Sequence, residues 1–339
     1  MVNEGESDAV AGKQAAKEEK KLSRCALVTG ANKGIGYGLV RALSKKFKGT
    51  VYLTARDKER GQEAQHALSR DDRLCEFLQL DVKDRASIEK VRDVIMEKHG
   101  GLDLLIQNAG IVGADFYQIR LPDGPMTPPR WIDVADNNHN DVVNEVYSAE
   151  VAEDVVQTDF FGALNVAEIL FPLLRSHARV VYMSSGLGSL RNLEIVEVKK
   201  RLVDPELSVE ELKSIANDYL RVAKEKDPGN VGYPKHLGPY SFSKMCLTVL
   251  TRLQQRDIDK DESREDIIIN ACTPGFVATE MTSYKGTKTI EEALDTPLYL
   301  AFLPPGSGPE QSKLPRGAFV RDLVEVDWIG ERDSSFIKV

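Results

Sequence analysis

From Arg24 onward, short apolar runs alternate with stretches in which apolar residues recur every three or four positions. The runs RCALVTG (24–30), VYLTA (51–55), CEFLQLD (75–81), LDLLIQNAG (102–110), ARVVYMSS (178–185) and DIIINAC (266–272), with a weaker GAFV (317–320), predict seven strands. Between them, Ile35, Leu39, Ala42 and Leu43 share one helical face, Lys58 to Leu68 reads as a helix, and Ile88, Val91 and Ile95 repeat the spacing. Strands that are apolar along their whole length are covered on both sides, which implies a parallel sheet between helical layers.

Right-handed crossovers make one doubly wound, Rossmann-like α/β domain over 23–339 the expected fold, with a parallel seven-stranded sheet. Three segments break the rhythm. Residues 1–22 (MVNEGESDAVAGKQAAKEEKKL) mix small and charged residues without apolar periodicity, so a flexible tail is expected. An insertion near 113–145 is rich in Pro, Asp and Asn, and loops of that length are usually functional or disordered. A second insertion, near 191–238, contains SVEE (208–211) at capping-box spacing. Leu212, Ile215, Tyr219 and Leu220 then line one face, so this piece is expected to be a helix packed on the body.

The chain has 339 residues, 42% of them hydrophobic, and a net charge of −8. That length supports a sizeable core. No apolar run is long enough to span a membrane, and the acidic balance argues against nucleic acid or an anionic membrane as the main partner. Cys25, Cys75, Cys246 and Cys272 lie far apart with no CxxC pair, which favours a reducing, cytoplasmic setting over a disulfide framework or a zinc site. No metal site is expected.

TGANKGIG places Gly30, Lys33, Gly34 and Gly36 between the first strand and the first helix. Glycines there permit a tight turn and let a helix N-terminus face a pyrophosphate, although a glycine-rich turn can also be only a turn. An Arg at the end of the second strand accommodates a 2′-phosphate, where an acidic residue would accept from a ribose hydroxyl. This chain has Thr54-Ala55-Arg56, and with Lys33 in the turn two cations point to NADP(H). The competing reading is a surface ion pair between Arg56 and Asp57. Asp81, closing the third strand, is placed to accept from an adenine amino group or to cap the next helix.

Tyr240-Ser-Phe-Ser-Lys244 puts a phenol and an ammonium on one helical face. An ammonium there stabilises phenolate and lowers the phenol pKa, which eases proton exchange with a substrate oxygen. A second YxxxK, Tyr284 to Lys288, contains Gly286 and reads as coincidence. The strand-end pair Ser184-Ser185 supplies hydroxyls upstream.

TGxxxGIG, NAG (108–110), a strand-end Ser, YxxxK and Pro274-Gly275, in this order, resemble the short-chain dehydrogenase/reductase superfamily. GANKGIG, LTARD, DFFG (159–162), the insertion before Tyr240 and NACTPGFVATEM (270–281) resemble its monomeric NADPH-dependent carbonyl reductases. The resemblance implies reduction of aldehydes, ketones or quinones, with Tyr240 as general acid, Lys244 lowering its pKa and bonding the nicotinamide ribose, and Ser185 holding the carbonyl oxygen. It implies that Gly30, Asn32, Lys33, Gly34, Ile35, Gly36, Arg56, Asp81, Val82, Asn108, Ala109 and Gly110 flank the cofactor. Pro274, Gly275, Val277 and Thr279 would hold the carboxamide side. Gly186, Leu187, Phe276 and Met281 match pocket positions, while the plainer reading has Phe276 and Met281 only packing their loop. The second insertion would cover the surface that shorter relatives use to dimerise, so a monomer is expected. Two departures stand out: Asp159 replaces the family's helix asparagine, and Gln107 replaces the first Asn of NNAG. They leave a second reading, a catalytically weak NADP(H)-binding regulator or scaffold.

Overall fold

Eight strands form one sheet: β1 (Cys25–Val28), β2 (Thr50–Ala55), β3 (Glu76–Gln79), β4 (Leu102–Gln107), β5 (Leu174–Met183), β6 (Ile268–Thr273), β7 (Phe319–Arg321) and β8 (Val324–Glu325). The computed structural model describes residues 23–70, 75–113, 147–306 and 313–330. The tail expected over 1–22 and almost all of the insertion near 113–145 lie outside the described residues. The strand order is β3-β2-β1-β4-β5-β6-β7-β8. The first seven run parallel, and β8 folds back antiparallel on β7. The expectation of seven strands is therefore one short; a two-residue exposed strand has no apolar run by which to be found.

The helices are α1 (Gly34–Lys46), α2 (Lys58–Arg70), α3 (Arg85–His99), α4 (Ala149–Val156), α5 (Gly162–Leu170), α6 (Val196–Val203), α7 (Val209–Glu225), α8 (Gly238–Ile258), α9 (Ile290–Ala293) and α10 (Asp295–Ala301). All residues of β1 and β6 are buried, because each strand alternates its side chains between two cores. One core packs Leu39, Val40, Leu43, Leu68 and Leu300 against Val28, Leu53 and Cys272. The other packs Ile88, Val91, Phe160, Leu212, Ile215 and Phe242 against Leu27, Leu105 and Val180. All four thiols are buried and free, and burial alone pushes that of Cys75 up to about 11. No helix among the described residues is long and apolar enough to cross a membrane.

Within the second insertion, Ser208 and Glu211 close the expected capping box at the start of α7. The expected face is buried: Leu212, Ile215, Tyr219 and Leu220 join the core with residues of α4 and α8. Tyr219 stacks on Phe242 of α8 with ring centroids 4.1 Å apart, and Tyr233 meets both edge-on. This insertion thus buttresses the helix that carries Tyr240 and Lys244.

Candidate active site

The strand order reverses between β1 and β4, so the turns after their C-terminal ends splay apart and leave the crevice where such sheets take ligands. The glycine turn lies there. Gly30 has φ +61°, and a Cβ on it would fall 2.8 Å from Ala109 Cα. A Cβ on Gly36 would fall 2.5 Å from Asn108 Nδ2. The turn is therefore pressed on the end of β4 and is not a mere reversal. Asn108 Nδ2 donates to the carbonyls of Thr29 and Gly30, both at 2.9 Å, while Thr29 Oγ1 accepts from the backbone N–H of Asn108 and Ala109. Asn108, expected at the ribose, thus has its amide committed to shaping the turn. Thr29, which the sequence reading passed over, ties the two strand ends; its place in TGxxxGIG was the available signal.

The start of α1 is open to an anion. Its N-cap Lys33 makes no side-chain cap, and its first turn holds no acid. In contrast, Asp84 caps α3 by accepting from Ala86 N–H. Asp81 accepts from the backbone N–H of Lys83 instead of capping α3, and Val82 is buried against Gly162. The Thr279 methyl rests beside Gly34, which brings the loop after β6 up to the glycine turn. Gly275 takes φ +85°, a conformation that favours glycine.

Arg56 is exposed at the end of β2, and no hydrogen bond or ion pair joins its side chain to a described residue. Asp57 does not pair with it: that carboxylate accepts from Arg60 N–H and meets the Arg60 guanidinium at 3.8 Å. Lys33, the other expected cation, has an acidic partner. Its Nζ donates to Glu280 Oε2 at 2.7 Å, and this bond together with the Lys33 charge holds the Glu280 carboxyl below its usual range. Glu280 lies 247 residues from Lys33, beyond the reach of local patterning.

The second cluster faces the same crevice. The two strand-end serines separate cleanly. Ser184 is buried, its hydroxyl 2.8 Å from Thr248 Oγ1 and donating to the Lys244 carbonyl at 3.0 Å. Ser185 is only partly buried; its hydroxyl accepts from Leu187 N–H at 3.2 Å and exerts a lowering effect on the Tyr240 phenol. A Cβ on Gly188 would fall 2.7 Å from the Lys244 carbonyl carbon, so the segment carrying Gly186 and Leu187 packs directly on α8. Lys244 Nζ sits 5.2 Å from the Tyr240 ring centroid and donates to the Met183 carbonyl at 3.1 Å. Phe276 is partly buried and Met281 is 38% exposed on the loop above. The other YxxxK is no site: Tyr284 is 72% exposed with φ +60°, and Lys288 pairs with Asp322.

Asp159 lies in a π turn (Gln157–Phe161), where Gly162 N–H reaches back to the Gln157 carbonyl. It is fully buried, 3.1 Å from Lys244 Nζ through Oδ2, and its Oδ1 accepts from Ile111 N–H at 2.7 Å. Burial pushes the Asp159 carboxyl up, while Lys244 and the two hydrogen-bond donors pull it back. Burial would lower Lys244, yet the adjacent carboxylate turns its pKa upward. Tyr240 departs from the sequence expectation. Burial raises its phenol, Lys244 lowers it as anticipated, but Asp159 raises it again and the net direction is upward. A phenol that keeps its proton, beside a hydroxyl donor and an ammonium, is suited to deliver that proton to an oxygen in the crevice. Gln107, the other departure, is buried at the end of β4.

A glycine turn at the sheet's switch point and a Ser–Tyr–Lys cluster across the same crevice define a dinucleotide-type oxidoreductase architecture. The chain belongs to the short chain dehydrogenase family, whose model matches residues 24–196. It is 36% identical to carbonyl reductase (NADPH) 3 of Mus musculus over 308 residues, 90% of this chain and 99% of that protein. It is likewise 36% identical to carbonyl reductase (NADPH) 1 of Rattus norvegicus, over 89% of this chain and 98% of that one. Among solved structures, salutaridine reductase from Papaver somniferum superposes with a TM-score of 0.73 at 31% identity, covering 87% of this chain and 99% of that one.

Proposed function

We propose that this protein reduces carbonyl compounds, among them aldehydes, ketones and quinones, to alcohols with NADPH. The observation that carries the reading is the meeting of Ser185, Tyr240 and Lys244 across one crevice from an uncapped helix N-terminus. The residues fit the cofactor: the first turn of α1 offers backbone N–H groups to a pyrophosphate, and Arg56 offers an unshared guanidinium to a 2′-phosphate. When bound, the reduced nicotinamide supplies hydride to the carbonyl carbon. Ser185 donates a hydrogen bond to the carbonyl oxygen and Tyr240 gives that oxygen its phenolic proton as the C=O π pair moves onto it. Lys244 stabilises the phenolate that remains until a proton from solvent restores it. Gly186, Leu187, Phe276 and Met281 would receive the apolar body of the substrate. The names of the mouse and rat relatives support the same cofactor and chemistry.

The test is NADPH consumption with a panel of quinones and aromatic aldehydes, comparing wild type with Tyr240→Phe. Loss of a general acid costs about a hundred- to ten-thousand-fold in rate. Equal rates in the two proteins would reject the assignment, and tight NADPH binding without turnover by wild type would favour a regulator or scaffold.

A further inference from the structure

The roles of Ser185, Tyr240 and Lys244 leave one buried charge unexplained. Asp159 shares the interior with Lys244 at 3.1 Å, and the fit is close: a Cβ on Gly110 would fall 3.0 Å from Lys244 Nζ and 3.2 Å from each Asp159 carboxylate oxygen. The backbone of Gly110 thus lies over the ion pair and leaves no room for a side chain. Ile111 N–H fixes one carboxylate oxygen at 2.7 Å, and Ser243 Oγ approaches the other at 3.4 Å. On its remaining side Lys244 meets the Met183 carbonyl. A π turn, which inserts one residue into the helical path, aims the carboxylate at this spot.

We propose that Asp159 is a positioning residue that pairs directly with Lys244 and cancels its charge beside the Tyr240 phenol, so that the site gives a proton to a carbonyl more readily than it takes one from an alcohol. The proposal rests on the reductase reading above and adds a direction to it. An unopposed ammonium next to a phenol favours phenolate, the base required for alcohol oxidation. An ammonium already neutralised by a carboxylate favours it far less, and the phenol retains the proton needed for reduction. Among the described residues, the ionisable groups acting on this cluster are Asp159 from the π turn and Tyr240 and Lys244 from α8. Among the described residues, β5 contributes the Met183 carbonyl, the turn after it the Ser185 hydroxyl, and the segment after β4 the backbone N–H of Ile111.

The experiment titrates the Tyr240 phenol in cofactor-free protein by ultraviolet difference absorbance, each form measured against its own Tyr240→Phe counterpart. Asp159→Asn keeps the shape and an acceptor for Ile111 N–H but removes the charge; Asp159→Ser is the second neutral variant should the first fold poorly. In both, phenolate is expected to form about one pH unit or more below wild type. The alkaline limb of carbonyl reduction moves down with it, and kcat for alcohol oxidation near neutrality rises about tenfold for each unit. A phenol midpoint that stays in place or moves up in the neutral variants overturns the proposal. The titration needs no turnover, so the two readings fail separately. A shifted phenol in a protein that reduces no carbonyl sinks the function, whereas an unshifted phenol in an active reductase sinks only the role of Asp159.

Discussion

Replacing Lys244 by Met strands a carboxylate in the interior, and the structure sets the size of the penalty. At 3.1 Å, and with an effective dielectric constant of about 20, the attraction lost is about 5 kcal/mol. Removing one partner of a buried pair generally costs about 3–5 kcal/mol, because the survivor stays desolvated. Asp159 keeps Ile111 N–H and Ser243 as partners, which places the expected loss in that range. The pH dependence follows from the direction of its shift. Burial already raises the folded-state pKa of Asp159, and loss of Lys244 raises it further. A carboxyl with a raised folded-state pKa carries no penalty when protonated in both states, and the penalty grows as pH climbs from the unfolded value towards the folded one. Lys244→Met is therefore destabilised most at pH 8 and recovers towards pH 5. Urea unfolding followed by circular dichroism at the two pH values measures this, and Lys244→Met with Asp159→Asn is expected to regain most of the loss. A deficit under about 1 kcal/mol at pH 8, or one that does not shrink on acidification, would show that the pair is not ionised.

Two further outcomes follow from the same structure. Arg56→Asp puts a carboxylate where the 2′-phosphate would bind; a charge-assisted bond contributes about 1.5–3 kcal/mol, so the Kd for NADPH is expected to rise at least about tenfold with that for NADH nearly constant. Equal weakening of both cofactors in a fluorescence titration would dismiss Arg56 as the phosphate ligand. Because α7 lies over α4 and α8, light scattering at micromolar concentration is expected to give the mass of one 37.6 kDa chain. A tetramer mass would refute that reading.

The local features of this protein were legible in its sequence because their causes are local. Both faces of the sheet are covered, so its strands read as continuous apolar runs, and all seven expected strands overlap those seen from β1 to β7. Ser208 and Glu211 form their cap within four residues, so spacing alone identified the start of α7. The glycine turn and the pair Tyr240 and Lys244 were legible for the same reason: a tight turn and one helical face are properties of a few neighbouring residues. Folding in three dimensions decided everything that depends on meetings between distant segments. It drew Lys33 to Glu280 and left Arg56 alone, and it separated Ser184 from Ser185 by burying one of two adjacent hydroxyls. It also reversed the expected acidity of Tyr240. The sequence shows the ammonium four residues away, but burial and the carboxylate of Asp159, 85 positions from Lys244, arise only when the π turn packs on α8. Helical spacing determines which groups are neighbours along one face, whereas desolvation and charge at a phenol depend on every segment that packs around it.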